Sequence, residues 1–272
     1  MRTLVNGQDQ PWVPASDRGL LYGDGVFETI RFVQGVAPLW PRHMQRLRDG
    51  CARLGLPAPD VAALALEAQR VRAGMRDAVV RITLTRGPAA RGYAPPAQAR
   101  ATRIVAAHPV PAIDPDWYAR GIRVRFCELR LAVQPRLAGL KHLNRLQQVM
   151  ARAEWQDPDV VEGLVFDQDG YLISATAANL FVVQDGVLVT PAVDRCGVAG
   201  VMRAELLAAL PCSVVRAVPK EALMRIDEMF LCSSVRGVLP VREVAGRALR
   251  VGALTRTAQA RWAALGFSGA GA

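Results

Sequence analysis

Lys141 is the residue whose type most needs a reason. The chain carries 34 lysines and arginines in 272 residues, yet only Lys141 and Lys220 are lysine. Arginine serves most charge roles. Only an amine can lose its proton and attack a carbonyl carbon, which a guanidinium cannot do. Lys141 stands just before Leu143, Leu146, Val149, Met150 and Ala153, whose spacing predicts one buried face of a helix. Taken alone, the stretch suits a surface cation near a helix start equally well.

An amine meant for a carbonyl points to a pyridoxal phosphate Schiff base, and that chemistry needs further parts. One is a set of phosphate donors. Cys196 to Arg203 is a glycine-bearing loop that opens a helix, so its free backbone N–H groups could face an anion. An ordinary glycine turn would read the same. Arg46 and the hydroxyls of Ser233 and Ser234 would complete the cradle. Another part is a clamp for substrate carboxylates. Arg91 with Tyr93, in a short loop, suits it, and Arg91 suits a solvated loop cation just as well. His43, His108 and His142 have no metal-ligand spacing, so no metal site is expected and all three are taken as structural.

The composition narrows the class. Hydrophobic residues make up 51 % of the chain, which is enough for a sizeable core. The net charge of +10 raises the question of nucleic acid. The arginines are spread along the whole chain, aromatics are 6 %, and no helix-turn-helix, zinc-finger or RNA-recognition signature occurs, so no nucleic-acid partner is expected. Charges or prolines break every apolar run short of the roughly 20 residues that a bilayer span needs. No membrane partner is expected, and a cytoplasmic location is. Five scattered cysteines without a Cys-x-x-Cys pair predict buried free thiols.

The elements that must carry these residues alternate strands with helices. Strands are predicted over 2–5, 26–33, 78–85, 101–107 and 121–131. Hairpins follow around Asp169-Gly170 and Asp185-Gly186, and a buried strand covers 228–232. Helices are predicted from Pro41, over 60–73, from Gly200 to Leu210 and over 256–265, with a mobile tail from Gly266. Prolines 109, 111 and 115 mark a linker. The predicted division is an N-terminal domain of residues 1–112 and a cofactor-binding domain of residues 113–272 that carries Lys141.

In this order the pieces resemble a known family. They are Tyr22 to Thr29, His43 to Leu47, Lys141 with Asn144-Arg145, Ala178 to Phe181, Gly197 to Arg203, and Ser233-Ser234 leading to Pro240-Val241. Together they resemble the fold-type IV pyridoxal phosphate enzymes, the family of branched-chain and D-amino acid aminotransferases and aminodeoxychorismate lyase. Within it, residues 86–93 and 140–146 are most similar to the lyases. The resemblance implies an α/β (α+β) fold with a smaller N-terminal domain and a larger pseudo-barrel-like C-terminal domain. It implies a homodimer with the cofactor held between the domains, acting on a small molecule. It implies conversion of 4-amino-4-deoxychorismate to 4-aminobenzoate and pyruvate, in folate biosynthesis, with amino acid transamination as the alternative. Lys141 would hold the cofactor aldehyde. Arg46, Ser174, Asn179, Gly200, Val201, Met202 and Ser234 would bind the rest of the cofactor. Tyr22, Thr29, Arg91, Tyr93 and Asn144 would meet the substrate. One position departs. Members of the family place a glutamate five residues before the asparagine of the Asn-Leu-Phe motif, as partner of the pyridine nitrogen. Here that residue is Ser174, with Glu162 as another carboxylate that could reach the nitrogen.

Overall fold

The computed structural model describes residues 2–267. They cluster into two compact units, one of residues up to Pro111 together with Lys141–Asn144, the other of Ala112–Leu140 and the residues from Arg145 on.

In the first unit, β1 (Thr3–Val5) and β2 (Gln8–Asp9) form a hairpin. Helix α1 (Arg18–Tyr22) precedes β3 (Gly25–Phe32), and α2 (Trp40–Leu54) and α3 (Val61–Val71) follow it. Then come β4 (Ala78–Thr85) and β5 (Thr102–His108). The sheet is antiparallel throughout, in the order β2-β1-β5-β4-β3, so β3 is an edge. Pro41 sits in the first turn of α2 and Asp60 caps α3 through the Ala63 N–H. Strand alternation sends Val26, Ile30, Val80 and Ile82 to one face, where Met44 and Leu47 of α2 and Leu64 of α3 cover them. Each such fully buried aliphatic side chain contributes about 1.5–3 kcal/mol.

The second unit opens with α4 (Pro115–Arg120) and β6 (Ile122–Leu131). Helix α5 (Leu146–Arg152), β7 (Val160–Asp167), β8 (Leu172–Ala175), β9 (Asn179–Gln184) and β10 (Val187–Pro191) come next. Helix α6 (Val201–Ala209), β11 (Val214–Arg216), a 3-10 turn (Lys220–Arg225), β12 (Glu228–Ser233), β13 (Gly237–Val244), β14 (Arg247–Ala248) and α7 (Ala253–Ala264) complete it. The sheet runs β11-β10-β9-β12-β13-β6-β7-β8, with β14 on β13. It curls, because Leu172 and Ala175 near its last strand share a core with Leu180, Val182 and Val189 from the other end. This is the mixed α/β class with the barrel-like second unit that the resemblance implied.

Several expectations need correction. The helix after Lys141 starts only at Leu146, because residues 141–144 are spent on the edge of β3. The Phe27 N–H donates to the Lys141 carbonyl and the Leu143 N–H to the Gly25 carbonyl, each at 3.0 Å. Lys141 therefore belongs with the first unit. The stripe expected to be buried is not: Leu146, Val149 and Met150 are 69, 62 and 56 % exposed, while Ala151 and Trp155 turn inward. The proline segment holds a helix, α4, started by Asp114 and Pro115 and anchored by buried Tyr118. The mobile tail expected from Gly266 does not include Phe267, which is buried and stacks on Trp262; the rest of that expectation, residues 268–272, lies outside the described residues. Of the cysteines, Cys51, Cys127, Cys196 and Cys232 are buried free thiols and Cys212 is exposed.

Candidate active site

In the first unit the chemistry gathers along edge strand β3. Alternation puts Phe27 and Thr29 on one face and Glu28 on the other, toward α2. Lys141 Nζ lies 4.2 Å from the centroid of the Phe27 ring, a cation over an aromatic face. Asn144 donates through Nδ2 to the Gly23 carbonyl at 3.2 Å. A Cβ at residue 23 would lie 2.4 Å from Asn144 Oδ1, so only glycine lets this contact form. Asn144, expected against substrate, thus ties the Lys141 segment to the end of α1.

On the opposite face Glu28 grips Arg46 with both oxygens, at 2.7 Å to Nε and 2.5 Å to Nη2, and meets His43 Nδ1 at 2.6 Å. Burial pushes the Glu28 carboxyl up, but Arg46 and His43 together bring it down to about 2. His43 is lowered, by burial first; Glu28 pulls it up, while Arg46 and Lys141 push it further down. The dyad is therefore carboxylate with neutral imidazole, and it fixes Arg46 in one rotamer. Glu28 was missed in the sequence. Its signal was a charged residue at a core position between Val26 and Ile30, with His43 and Arg46 one helical turn apart on the covering helix.

Tyr22 is half-buried, and Arg91 and Tyr93 are exposed, Tyr93 at 86 %. The rings of Tyr22 and Tyr93 meet edge to face at 5.6 Å.

In the second unit Gly200 is the N-cap of α6 and no side chain caps that helix, so the amides of Val201 and Met202 open it. Asn179 at the start of β9 donates through Nδ2 to the Val198 carbonyl at 2.9 Å. A Cβ on residue 200 would come within 2.0 Å of Asn179 Oδ1. The loop is drawn so close that glycine alone fits. Backbone N–H groups at a helix start fit a phosphate, and Ser234 follows β12 in the turn before β13. A cavity of about 190 Å³ elsewhere in this unit, lined by Asp167, Tyr171, Ile173 and Arg195 among others, includes none of these residues.

Ser174 is half-buried on β8, opposite Val165 of β7. Glu162 does not share the face of Ser174. Gly163 and Val165 face Cys127 and Trp155, so Glu162, of the other parity, points to the opposite face from Ser174. There Glu162 accepts a 2.5 Å hydrogen bond from Thr176 Oγ1 and pairs with Arg236 at 3.5 Å. Burial raises its carboxyl, against the pull of Thr176 and Arg236. Arg236 in turn donates its backbone N–H to Ser233 Oγ at 3.0 Å. Glu162 thus steadies the serine turn.

The model of the amino-transferase class IV family matches residues 25–244. The chain belongs to the class IV aminotransferase family. The matched span holds every candidate residue except Tyr22, which lies just before it. Among class IV relatives, the chain is 34 % identical to an aminodeoxychorismate lyase of Vibrio harveyi, over 94 % of this chain and 97 % of the other. It is 31 % identical to a putative branched-chain-amino-acid aminotransferase of Methanocaldococcus jannaschii, over 94 and 93 %. The crystal structure of 4-amino-4-deoxychorismate lyase from Pseudomonas aeruginosa superposes with a TM-score of 0.91 at 45 % identity, over 95 % of this chain and 97 % of that one.

Proposed function

We propose that this chain is a pyridoxal phosphate-dependent lyase that converts 4-amino-4-deoxychorismate to 4-aminobenzoate and pyruvate. The observation that carries the reading is the likeness over nearly the full length, at 45 % identity, to a structure of that lyase. The position of Lys141 fits it: a lysine in a chain of arginines, pinned by its own carbonyl to edge strand β3.

Val201 and Met202 amides, Ser234 and Arg46 would hold the phosphate, with Glu28 keeping Arg46 in place. Asn179 would hold the loop that carries those amides. The bound cofactor supplies a carbonyl that captures an amine and a ring that accepts electron density. Lys141 would hold it, and its Nζ would be the base that takes the proton at C4 of the substrate. The same Nζ would return that proton to the departing enolpyruvate, which leaves as pyruvate. Arg91 and Tyr93 would meet the substrate carboxylates.

Ser174 supports the lyase over the transaminase. A hydroxyl where relatives carry a carboxylate leaves the pyridine nitrogen less readily protonated, so the ring draws electrons less strongly. Elimination is helped by forming an aromatic product, and transamination has no such help. The exposed apolar face of α5 supports a homodimer, and four buried free thiols suit a reducing compartment such as the cytoplasm.

The test is borohydride reduction of the purified protein, peptide mapping, and a fluorescence assay for 4-aminobenzoate. The coenzyme is expected on Lys141, with turnover abolished in Lys141→Ala and retained in Lys220→Arg. Coenzyme on Lys220, or amino acid transamination faster than 4-aminobenzoate release, overturns the reading.

A further inference from the structure

Arg18 is buried, 4 % exposed, and lies outside every motif that pointed to the cofactor. Its guanidinium gathers three successive carbonyls of the loop that carries Arg91 and Tyr93. Nη1 donates to Gly92 at 2.8 Å and to Ala94 at 3.4 Å, and Nη2 to Tyr93 at 3.1 Å. Nε donates to Asp24 Oδ2 at 2.8 Å, and the guanidinium lies 4.8 Å from the centroid of the Tyr22 ring. Tyr22 Oη accepts the Gly92 N–H at 3.2 Å. Asp24 is shared with Arg86, which donates to it from Nε at 2.7 Å and Nη2 at 3.1 Å. Burial pushes Asp24 up, but Arg86 and Arg18 outweigh it and leave the carboxyl lowered, so it remains a charged anchor.

Residues 91–95 are all exposed, so apart from the Tyr22–Tyr93 ring contact the loop is held by such contacts to its backbone. A rigid fork is needed to reach three carbonyls and a carboxylate at once. A lysine ammonium has three donors on a flexible stem and no planar geometry. Gly92 meets the same demand from the other side: its φ is +111°, a backbone that L side chains rarely adopt, in open space.

We propose that Arg18, seated on Asp24 and Tyr22, is the positioning residue for substrate recognition. By fixing the backbone of residues 92–94 it sets where Arg91 and Tyr93 stand, and so determines affinity for the carboxylate-bearing substrate without taking part in proton transfer. The inference rests on the reading of Arg91 as the carboxylate clamp.

The experiment compares Arg18→Lys, Gly92→Ala and Arg91→Ala in the holoenzyme. Arg18→Lys and Gly92→Ala are each expected to raise KM by about tenfold or more, since displacement by about 1 Å is costly to a positioned group, with kcat and the visible coenzyme spectrum unchanged. Gly92→Ala lies on an exposed loop and tests the same geometry without disturbing the buried pair. A second readout needs no turnover. Trypsin is expected to cut after Arg91 faster in Arg18→Lys than in the parent, because a pinned loop does not fit a protease cleft. Unchanged KM and unchanged cleavage in Arg18→Lys, with KM raised in Arg91→Ala, overturns the positioning role alone. Unchanged KM in Arg91→Ala overturns the clamp on which it rests.

Discussion

At the scale of single residues, Ser174 separates this chain from the pattern it otherwise follows. The position is half-buried on β8, and the one alternative carboxylate the sequence offered, Glu162, faces the other way and is occupied with Thr176 and Arg236. Restoring the carboxylate should therefore restore the electron demand that transamination needs. Ser174→Glu is expected to raise transamination of D- or L-amino acids relative to 4-aminobenzoate release by about tenfold or more, because one charged partner changes a ring nitrogen's protonation by 1–3 pKa units. Rates for both reactions on one preparation decide it. An unchanged ratio means that residue 174 does not set the reaction.

At the scale of elements, the helix start and the edge strand do the positioning. In α6 no side chain caps the first amides, and Gly200 admits the close approach of Asn179 that holds the loop before them. Gly200→Ala is expected to force Asn179 aside at about 1–3 kcal/mol and to weaken coenzyme binding by about tenfold or more, read by titrating the apoprotein. Asn179→Ala in the same chain should restore thermal stability but not affinity, since it removes the clash without restoring the loop. This helix was legible in the sequence because its signal is local: a glycine-bearing loop, then an apolar periodic run. The hairpins at Asp169-Gly170 and Asp185-Gly186 were legible for the same reason. The Lys141 segment was not. Its apolar spacing is helical, but its backbone hydrogen bonds go to residues 25 and 27, more than a hundred positions away, and no local pattern records that. The Glu28, His43 and Arg46 cluster and the Arg18 anchor escaped likewise, because buried charge becomes intelligible only when its distant partners are known.

At the scale of the whole molecule, two consequences follow from what is buried and what is not. Glu28 is lowered from 4.5 to about 2, so its contribution to stability is full above about pH 4.5 and is lost as pH falls toward 2. A shift of that size is worth about 3 kcal/mol. His43 is also lowered, so the unfolded chain takes a proton near 6.5 that the folded chain refuses, and stability declines below that pH as well. Denaturant melts from pH 8 to 3 should show loss beginning near 6.5 and steepening below 4.5, and Glu28→Gln should flatten the steeper part while lowering stability at pH 7. The second consequence concerns α5. Leu146, Val149 and Met150 stand on one side of a seven-residue helix, each more than half exposed. A helix that short has little stability of its own and gains it by burying a face. Ala151 and Trp155 supply the inner contact and the outer apolar face stays exposed, the face on which the proposed homodimer would rest. The parent is expected to sediment as a dimer at micromolar concentration. Val149→Glu places a charge in that face and is expected to shift the species to monomer while the far-ultraviolet circular dichroism stays unchanged. A parent that sediments as monomer, or a Val149→Glu variant that stays dimeric, would show that this face is not where two copies meet.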